Sequence, residues 1–226
     1  MWPGMFNQEE PFQTFDGAIK ACEQSLKFLQ VDEIDLYLIH NPFAKENRLE
    51  LWEAMIELKK QGKVKHIGVS NYNVHHMKEI EAAGIEMPSA NQIEIHPWHV
   101  VTKPLAEYMD KNKILPIAYS TLAPIPNWRE GSRWNGKPED MKSGAMPCED
   151  IANKYRVTVP QLFLKWAIQL GYPVLPKSVK YDRLKENLSL DHFEISIDDM
   201  TSISNIAIDE QKCLAWSGDF DPLEVD

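Results

Sequence analysis

The alternation of short apolar runs with amphipathic segments is the feature of this sequence that most constrains its fold. Five apolar runs end at His40, Ser70, Glu94, Ser120 and Ser178, with spacings of 30, 24, 26 and 58 residues. Between these runs lie segments with helical periodicity and helix-capping residues. Such an alternation predicts parallel strands covered by helices, which is an α/β fold.

The same pattern gives bounds for each element. The predicted strands cover residues 34–40, 65–70, 89–95, 114–120 and 173–177. The predicted helices cover residues 15–29, 49–61, 74–83, 103–112, 149–155, 158–170, 183–188 and 197–203. Thr158 and Gln161 have the spacing of a capping box, and Gly62 is placed to end a helix. The predicted buried face of the first helix consists of Phe15, Ile19, Cys22, Leu26 and Leu29.

Periodicity alone leaves two architectures open, a doubly wound open sheet and a closed barrel. The ten glycines include no G-x-G-x-x-G pattern, so the dinucleotide fingerprint of the open fold is missing. Many open sheets lack that fingerprint as well. Periodicity and glycine pattern are therefore compatible with both architectures.

Composition excludes several classes of function. A length of 226 residues suits one sizeable core, and we expect a single domain over residues 1–226. The net charge of -10 argues against a nucleic-acid partner, because phosphate binding needs a positive surface. No apolar stretch reaches the roughly 18 residues of a membrane span. The three cysteines are far apart and include no C-x-x-C, which predicts a reducing compartment, by default the cytosol.

Polar side chains stand at the ends of all five predicted strands. Parallel α/β proteins gather their chemistry at the carboxyl ends of strands, so these positions are candidates for a functional site. Each has an alternative structural explanation, since a histidine after a strand often packs and Ser-Asn is a common turn. The candidates are His40 with Asn41, Ser70 with Asn71, Gln92 with Glu94 and His96, Tyr119 with Ser120, and Lys177 with Ser178.

The segments around these ends resemble the aldo-keto reductase family. The matching motifs are DEIDLYLIHNP (32–42), GKVKHIGVSNYN (62–73), ANQIEIHPW (90–98), AYSTL (118–122) and VLPKSVKYDRLKENL (174–188). Their order and spacing match over residues 15–206. The resemblance implies a (β/α)8 barrel in which these strands correspond to the fourth to eighth. On this expectation the barrel is incomplete and lacks the first three strands.

The resemblance also implies a role for each matched residue in NADPH-dependent reduction of aldehydes and ketones. His40 corresponds to the histidine that orients the substrate carbonyl. Ser70, Asn71 and Gln92 correspond to the residues that bind the nicotinamide carboxamide. Tyr119 corresponds to the ring stacked under the nicotinamide. The positions that match the pyrophosphate, 2′-phosphate and adenine contacts are Ser120, Leu122, Lys177, Ser178, Val179, Arg183, Glu186 and Asn187.

The basic residues near position 180 suggest an anion site even without the resemblance. Lys177, Lys180, Arg183 and Lys185 form the densest basic cluster in an acidic chain, beside the start of a helix. Cations at a helix N-terminus suit a phosphate. The alternative is a solvated helix face. Together with the resemblance, the cluster favours NADPH over NADH.

Three further features carry weaker predictions. His96 and His99, with His75 and His76 one helix earlier, have no carboxylate or cysteine at ligand spacing, so no metal site is predicted. The resemblance suggests that Asn41, Trp128 and Trp216 contact substrate. It also suggests that residues 207–226 form a substrate loop.

The family's proton donor is a tyrosine whose pKa is lowered by a lysine that pairs with an aspartate. The 226 residues match only the histidine of this tetrad, and loss of a general acid costs roughly 100- to 10,000-fold in rate. We therefore expect a very poor reductase. Three explanations stay open: a truncated enzyme, a chain that associates with a complementing partner or itself at open barrel edges, and a pseudoenzyme that binds nucleotide or a partner.

Overall fold

The computed structural model describes residues 13–125, 148–206, 213–216 and 221–225. The described strands are β1 (Ile34–Ile39), β2 (Val64–Ser70), β3 (Ala90–Glu94) and β4 (Leu115–Tyr119). The described α-helices are α1 (Phe15–Leu29), α2 (Arg48–Lys60), α3 (Val74–Ala82), α4 (Lys103–Lys111), α5 (Glu149–Tyr155), α6 (Val159–Gln169), α7 (Tyr181–Leu188) and α8 (Ile197–Ser204). Short 3-10 helices cover Lys45–Asn47 and Pro222–Glu224. These bounds confirm the predicted order of the first four strands and of the helices.

The four strands form one sheet in the order β1-β2-β3-β4. β1 pairs in parallel with β2, and β2 pairs in parallel with β3. In the second pairing Ser70 lies opposite Gln92, so two predicted site residues share one level of the sheet. The α/β class predicted from the alternation is confirmed.

The fifth predicted strand, at residues 173–177, is reduced to a single parallel bridge between Ala118 and Val174. Ala118 donates its N–H to Pro173 O at 2.8 Å, and Leu175 donates to Ala118 O at 3.2 Å. The prediction of a full strand was therefore wrong in extent. Pro173 and Pro176 have no N–H to donate, which limits ladder bonding in this segment.

Helix ends follow the chemistry predicted for them. Gly62 has φ +70°, and its N–H donates to Lys59 O while that of Lys63 donates to Leu58 O, which is the Schellman arrangement. Thr158 and Gln161 form the predicted capping box at the start of α6. These local signals fix where the helices stop and start.

The buried face of α1 differs from the prediction. Ala18, Cys22 and Leu26 are buried, as a spacing of four residues requires, whereas Leu29 is 62% exposed. The αL residue Gln30 ends the helix directly after Leu29. Phe15 and Ile19 are half-buried, so Leu29 is the one residue of the predicted face that is exposed.

The chain divides into two compact units. The first comprises Met1–Gln92, Lys103–Pro116 and Pro222–Asp226, and its core includes Trp52, Met55, Ile67 and Met77. The second comprises Ile93–Thr102 and Ile117–Asp221, and its core includes Ile95, Leu162, Phe163 and Trp166. Within the described ranges no helix has the length and apolar character needed to cross a bilayer.

Candidate functional site

The first compact unit brings together four of the predicted residues at the carboxyl ends of β1, β2 and β3. Ser70 is 2% exposed, and its hydroxyl donates to Gln92 O at 2.6 Å. The Asn71 amide nitrogen donates to Ser70 Oγ at 3.1 Å and to His40 O at 3.0 Å. Three neighbouring strand ends are thus joined through Ser70 and Asn71.

Asn71 has a left-handed backbone conformation that aims its side chain back at β1. Its φ is +62°, and its N–H donates to Gln92 O at 2.9 Å. Asparagine tolerates this conformation better than most residues because its short polar side chain can bond locally. The turn after β2 therefore holds a buried amide against the end of β1.

His40 is a neutral imidazole with a defined proton position. Burial lowers its pKa to about 4. The Asn41 amide nitrogen lies 3.4 Å from His40 Nδ1, and an amide nitrogen can only donate. The ring proton is therefore on Nε2, which makes Nε2 a hydrogen-bond donor. A neutral donor of this kind suits the orientation of a carbonyl oxygen.

Asn41 has a local structural role in the first unit. It is 5% exposed, and its Oδ1 accepts from the N–H of Phe43 at 3.2 Å. This bond closes the turn after His40. Contact with a substrate remains a prediction for this residue.

In the second compact unit, Tyr119 ends β4 and Ser120 follows it, and a described part of the tail contacts Tyr119. The Tyr119 hydroxyl accepts from Trp216 Nε1 at 2.8 Å. Ser120 has φ +55°, and its carbonyl accepts from Ala123 N at 2.8 Å, which turns the chain tightly after the strand. Leu122 is half-buried in that turn. Trp128 lies outside the described residues.

Glu94 anchors the tail, a role that the sequence did not predict. This carboxylate is 2% exposed and accepts from the N–H groups of Leu214 and Ala215 at 2.6 and 2.9 Å. His96 Nε2 donates to it at 2.8 Å, because His96 Nδ1 accepts from Trp98 N. Burial raises the pKa of Glu94, but its bonds to His96 and Cys213 outweigh burial and the net direction is downward. The only sequence signal was the place of Glu94 at a strand end.

The basic cluster lies on and before α7, as predicted. Lys177, Lys180, Arg183 and Lys185 are exposed, and among the described residues none of them makes an ion pair with a carboxylate. Ser178 is half-buried and its Oγ accepts from Lys180 N at 3.1 Å, while Val179 is 83% exposed. Asn187 is buried, and Glu186 accepts from the Thr158 hydroxyl at 2.5 Å. Cations that pair with no described carboxylate are available to an anion in solution.

The fold and these sites define a parallel α/β protein with hydrogen-bonding side chains at its strand ends and a basic helix start. Comparison with known proteins names the class: residues 11–208 match the model of the aldo/keto reductase family. The chain is 34% identical to glyoxal reductase of Bacillus subtilis over 207 residues, which is 92% of this chain and 68% of that protein. It therefore belongs to the aldo/keto reductase family.

Two further comparisons agree. The chain is 34% identical to methylglyoxal reductase DkgA of Escherichia coli over 189 residues, covering 83% of this chain and 63% of that protein. A crystal structure of an aldo-keto reductase of Bombyx mori in complex with NADP superposes with a TM-score of 0.74 at 29% identity, covering 91% of this chain and 65% of that one. The chain thus spans about two thirds of the length of these relatives.

Proposed function

We propose that this chain binds NADPH and belongs to an enzyme that reduces small aldehydes and ketones to alcohols. The observation that carries the proposal is the arrangement of His40, Ser70 and Asn71 at adjoining strand ends in a member of this family. The names of two relatives, glyoxal reductase and methylglyoxal reductase, support small dicarbonyl compounds as the substrates. NADPH, when bound, supplies the hydride.

The residues present fit the cofactor. In the first unit, the half-exposed Gln92 carries both an amide donor and an amide acceptor beside Ser70, which suits a carboxamide. In the second unit, the exposed side chains of Lys177 and Arg183 and the start of α7 suit the 2′-phosphate. The turn at Ser120 and Leu122 would follow the pyrophosphate, and Tyr119 would support the nicotinamide ring. Val179, Glu186 and Asn187 would meet the adenosine.

His40 would act through its protonated Nε2. The neutral ring donates a hydrogen bond to the substrate carbonyl and so fixes its orientation and polarises it. This bond does not replace the general acid, since the 226 residues match only the histidine of the tetrad. We expect carbonyl-dependent oxidation of NADPH by the chain alone to be roughly 100- to 10,000-fold slower than with a complete tetrad.

Calorimetric titration of the purified chain with NADPH and with NADH tests the cofactor proposal. We expect saturable binding of NADPH that is at least tenfold tighter than that of NADH. The double variant Lys177→Ala/Arg183→Ala should lose this preference and leave NADH binding unchanged. Lys103→Ala/Lys111→Ala on α4 removes the same charge from another helix and serves as the control. Equal affinity of the chain for NADPH and NADH would refute the proposal.

A second candidate is a nucleotide-binding pseudoenzyme, which the single tetrad match favours. It requires NADPH binding without turnover. Oxidation of NADPH followed by absorbance, with methylglyoxal as substrate and His40→Ala as control, separates the two. A slow rate that falls in His40→Ala supports the reductase, and a rate equal to that of buffer supports the pseudoenzyme.

We further propose self-association or a complementing partner at β1. This strand lies at one edge of the described sheet, and an edge strand can pair with another chain. Sedimentation velocity across a concentration series checks this, because a monomer at all concentrations contradicts self-association.

A further inference from the structure

Three side chains of metal-ligand type meet in the second compact unit, and none of the three is assigned to the cofactor. They are His99, which follows β3, and Cys213 and Asp221 in the tail. Their ligand atoms all lie within 4.8 Å of one another. We propose that His99, Cys213 and Asp221 form a zinc site. The sequence concealed it because His99 is more than a hundred residues from both partners.

His99 is oriented as a metal ligand. Its Nδ1 lies 2.9 Å from Glu94 O, and a carbonyl oxygen only accepts, so Nδ1 carries a proton. Its Nε2 donates to Asp221 Oδ2 at 2.9 Å, so the ring carries a second proton there, which a bound metal ion would displace. Metal-bound histidines almost always donate their other ring nitrogen to a carbonyl or carboxylate, which fixes the tautomer and the ring orientation. Glu94 O provides that support here.

Cys213 lies beside the Glu94 carboxylate, which keeps other hydrogen-bond donors when the thiol loses its proton. Its Sγ is 3.0 Å from Glu94 Oε2, and the residue is half-exposed. Glu94 also accepts N–H bonds from His96, Leu214 and Ala215. When a cation binds, Cys213 and His99 Nε2 each release a proton to solvent, and the sulfur and nitrogen lone pairs form the new bonds. Glu94 retains its three N–H donors.

The donor set and the spacing favour zinc. Zinc bonds of about 2.0–2.3 Å place tetrahedral ligand atoms roughly 3.3–3.8 Å apart. The His99–Asp221 distance of 2.9 Å and the 4.8 Å limit on all the ligand-atom distances bracket that range. Small side-chain rotations would therefore bring the three ligand atoms to tetrahedral spacing. Sulfur, imidazole and carboxylate together suit zinc, whereas magnesium and calcium prefer oxygen alone. Three protein ligands leave the fourth position for water.

Bound zinc would fix the tail to the segment after β3. Cys213 and Asp221 lie on either side of Trp216, which donates to Tyr119. One cation would therefore hold both ends of this part of the tail to His99, within the second unit. Zinc should stabilise the tail whether or not the chain binds nucleotide.

Titration of the metal-free chain with cobalt(II) tests the site, because cobalt substitutes for zinc and is coloured. We expect one cobalt per chain, visible bands of tetrahedral coordination and a near-ultraviolet sulfur-to-cobalt charge-transfer band that zinc abolishes. Cys213→Ser should remove the charge-transfer band. His99→Gln and Asp221→Asn should each weaken binding by roughly 100-fold. His75→Gln, at an exposed histidine, should bind as the unaltered chain does.

Two results would overturn the site. One is the absence of a charge-transfer band, and the other is a band that persists in Cys213→Ser. Far-ultraviolet circular dichroism of each metal-free variant confirms that it folds, and Cys213→Ala replaces the serine variant if that one does not. The readout uses no nucleotide, so it succeeds or fails separately from the proposed reductase function.

Discussion

Asn71 joins two strand ends through its side chain while its backbone is in the left-handed region. Its amide nitrogen bonds His40 O and Ser70 Oγ, and its φ is +62°. Alanine would lose both bonds and would still have to adopt a conformation that costs roughly 1–2 kcal/mol in an L-residue with Cβ. The residue therefore stabilises the turn in two separable ways.

We predict that Asn71→Ala lowers the free energy of unfolding by about 2–3 kcal/mol. Asn71→Gly should cost less, because glycine removes the backbone strain and loses only the hydrogen bonds. Urea denaturation of both variants measures the difference. Equal losses for alanine and glycine would show that the left-handed conformation carries no cost.

Motifs and strand ends in the sequence single out Ser70, Asn71 and His40, but they give no information about the hydrogen-bond partners of these residues. The bond from Asn71 to His40 O depends on the positions of two strand ends in space, 31 residues apart in sequence. Likewise Glu94 and Cys213 are 119 residues apart, and no local pattern links them.

Helices α6 and α7 are connected through the capping residue Gln161. Its side chain completes the capping box with Thr158, and its Nε2 also donates to Glu186 O and Ser189 O at 3.3 and 2.9 Å. A residue that begins α6 thereby also holds the end of α7. Because α7 carries Arg183, the cap is connected to the basic cluster.

We predict that Gln161→Ala destabilises the chain by about 2 kcal/mol and Thr158→Ala by about 1 kcal/mol, since only the first removes the bonds to α7. Gln161→Ala should also weaken NADPH binding several-fold. Chemical denaturation and calorimetry measure the two effects. A larger loss of stability in the threonine variant would contradict the assigned role of Gln161.

The sheet requires a glycine at one position. A Cβ on Gly68 in β2 would lie 2.6 Å from Ala90 O and 2.7 Å from Leu38 Cδ2. The carbonyl belongs to the neighbouring strand and cannot rotate away as a side chain could. A side chain at position 68 would therefore collide with the backbone of β3.

We predict that Gly68→Ala destabilises the chain by at least about 2 kcal/mol, because overpacking against backbone forces the strands apart. Gly84→Ala is the comparison, since a Cβ there meets nothing within 4 Å and only the backbone conformation opposes it. Thermal unfolding followed by circular dichroism ranks the two. A smaller effect at Gly68 than at Gly84 would be inconsistent with the close approach.

Element bounds were predictable because caps, glycines and apolar periods are local. The failures were the last turn of α1 and the fifth strand. Both depend on tertiary contacts. The exposure of Leu29 depends on which neighbours it can pack against. The extent of the fifth strand depends on whether the segment around Val174, with two prolines beside it, can form ladder hydrogen bonds.

The stability of the whole chain should fall in mild acid. Burial lowers the pKa of His40 and of His76 to about 4, against an ordinary value of 6.5. The unfolded chain therefore binds more protons than the folded chain between these values. The stabilisation is fully present above pH 6.5 and is lost as the pH falls to about 4. Arg48 lowers the pKa of Glu79 through a hydrogen bond, which adds to the loss below the ordinary glutamate value of 4.5.

We predict that His76→Gln flattens the stability profile between pH 6.5 and about 4. His76 Nδ1 accepts from Asn73 N in the capping box of α3, and glutamine retains an acceptor at that position. His75→Gln is the control, because His75 is the neighbouring residue of α3 and is exposed. Urea denaturation across the pH range gives the slope of the free energy of unfolding against pH. An unchanged slope in His76→Gln would show that His76 does not cause the acid destabilisation.

The hydrogen bond between the Trp216 indole and the Tyr119 phenol allows intrinsic tryptophan fluorescence to monitor the tail. Indole emission responds to the polarity and hydrogen bonding around the ring, and this indole is attached to the residue that ends β4. Replacing the other six tryptophans with phenylalanine would leave a single emitter at the tail. Its emission wavelength and fluorescence lifetime would then report, in real time and without an added label, whether the tail keeps or loses its hydrogen bond to Tyr119.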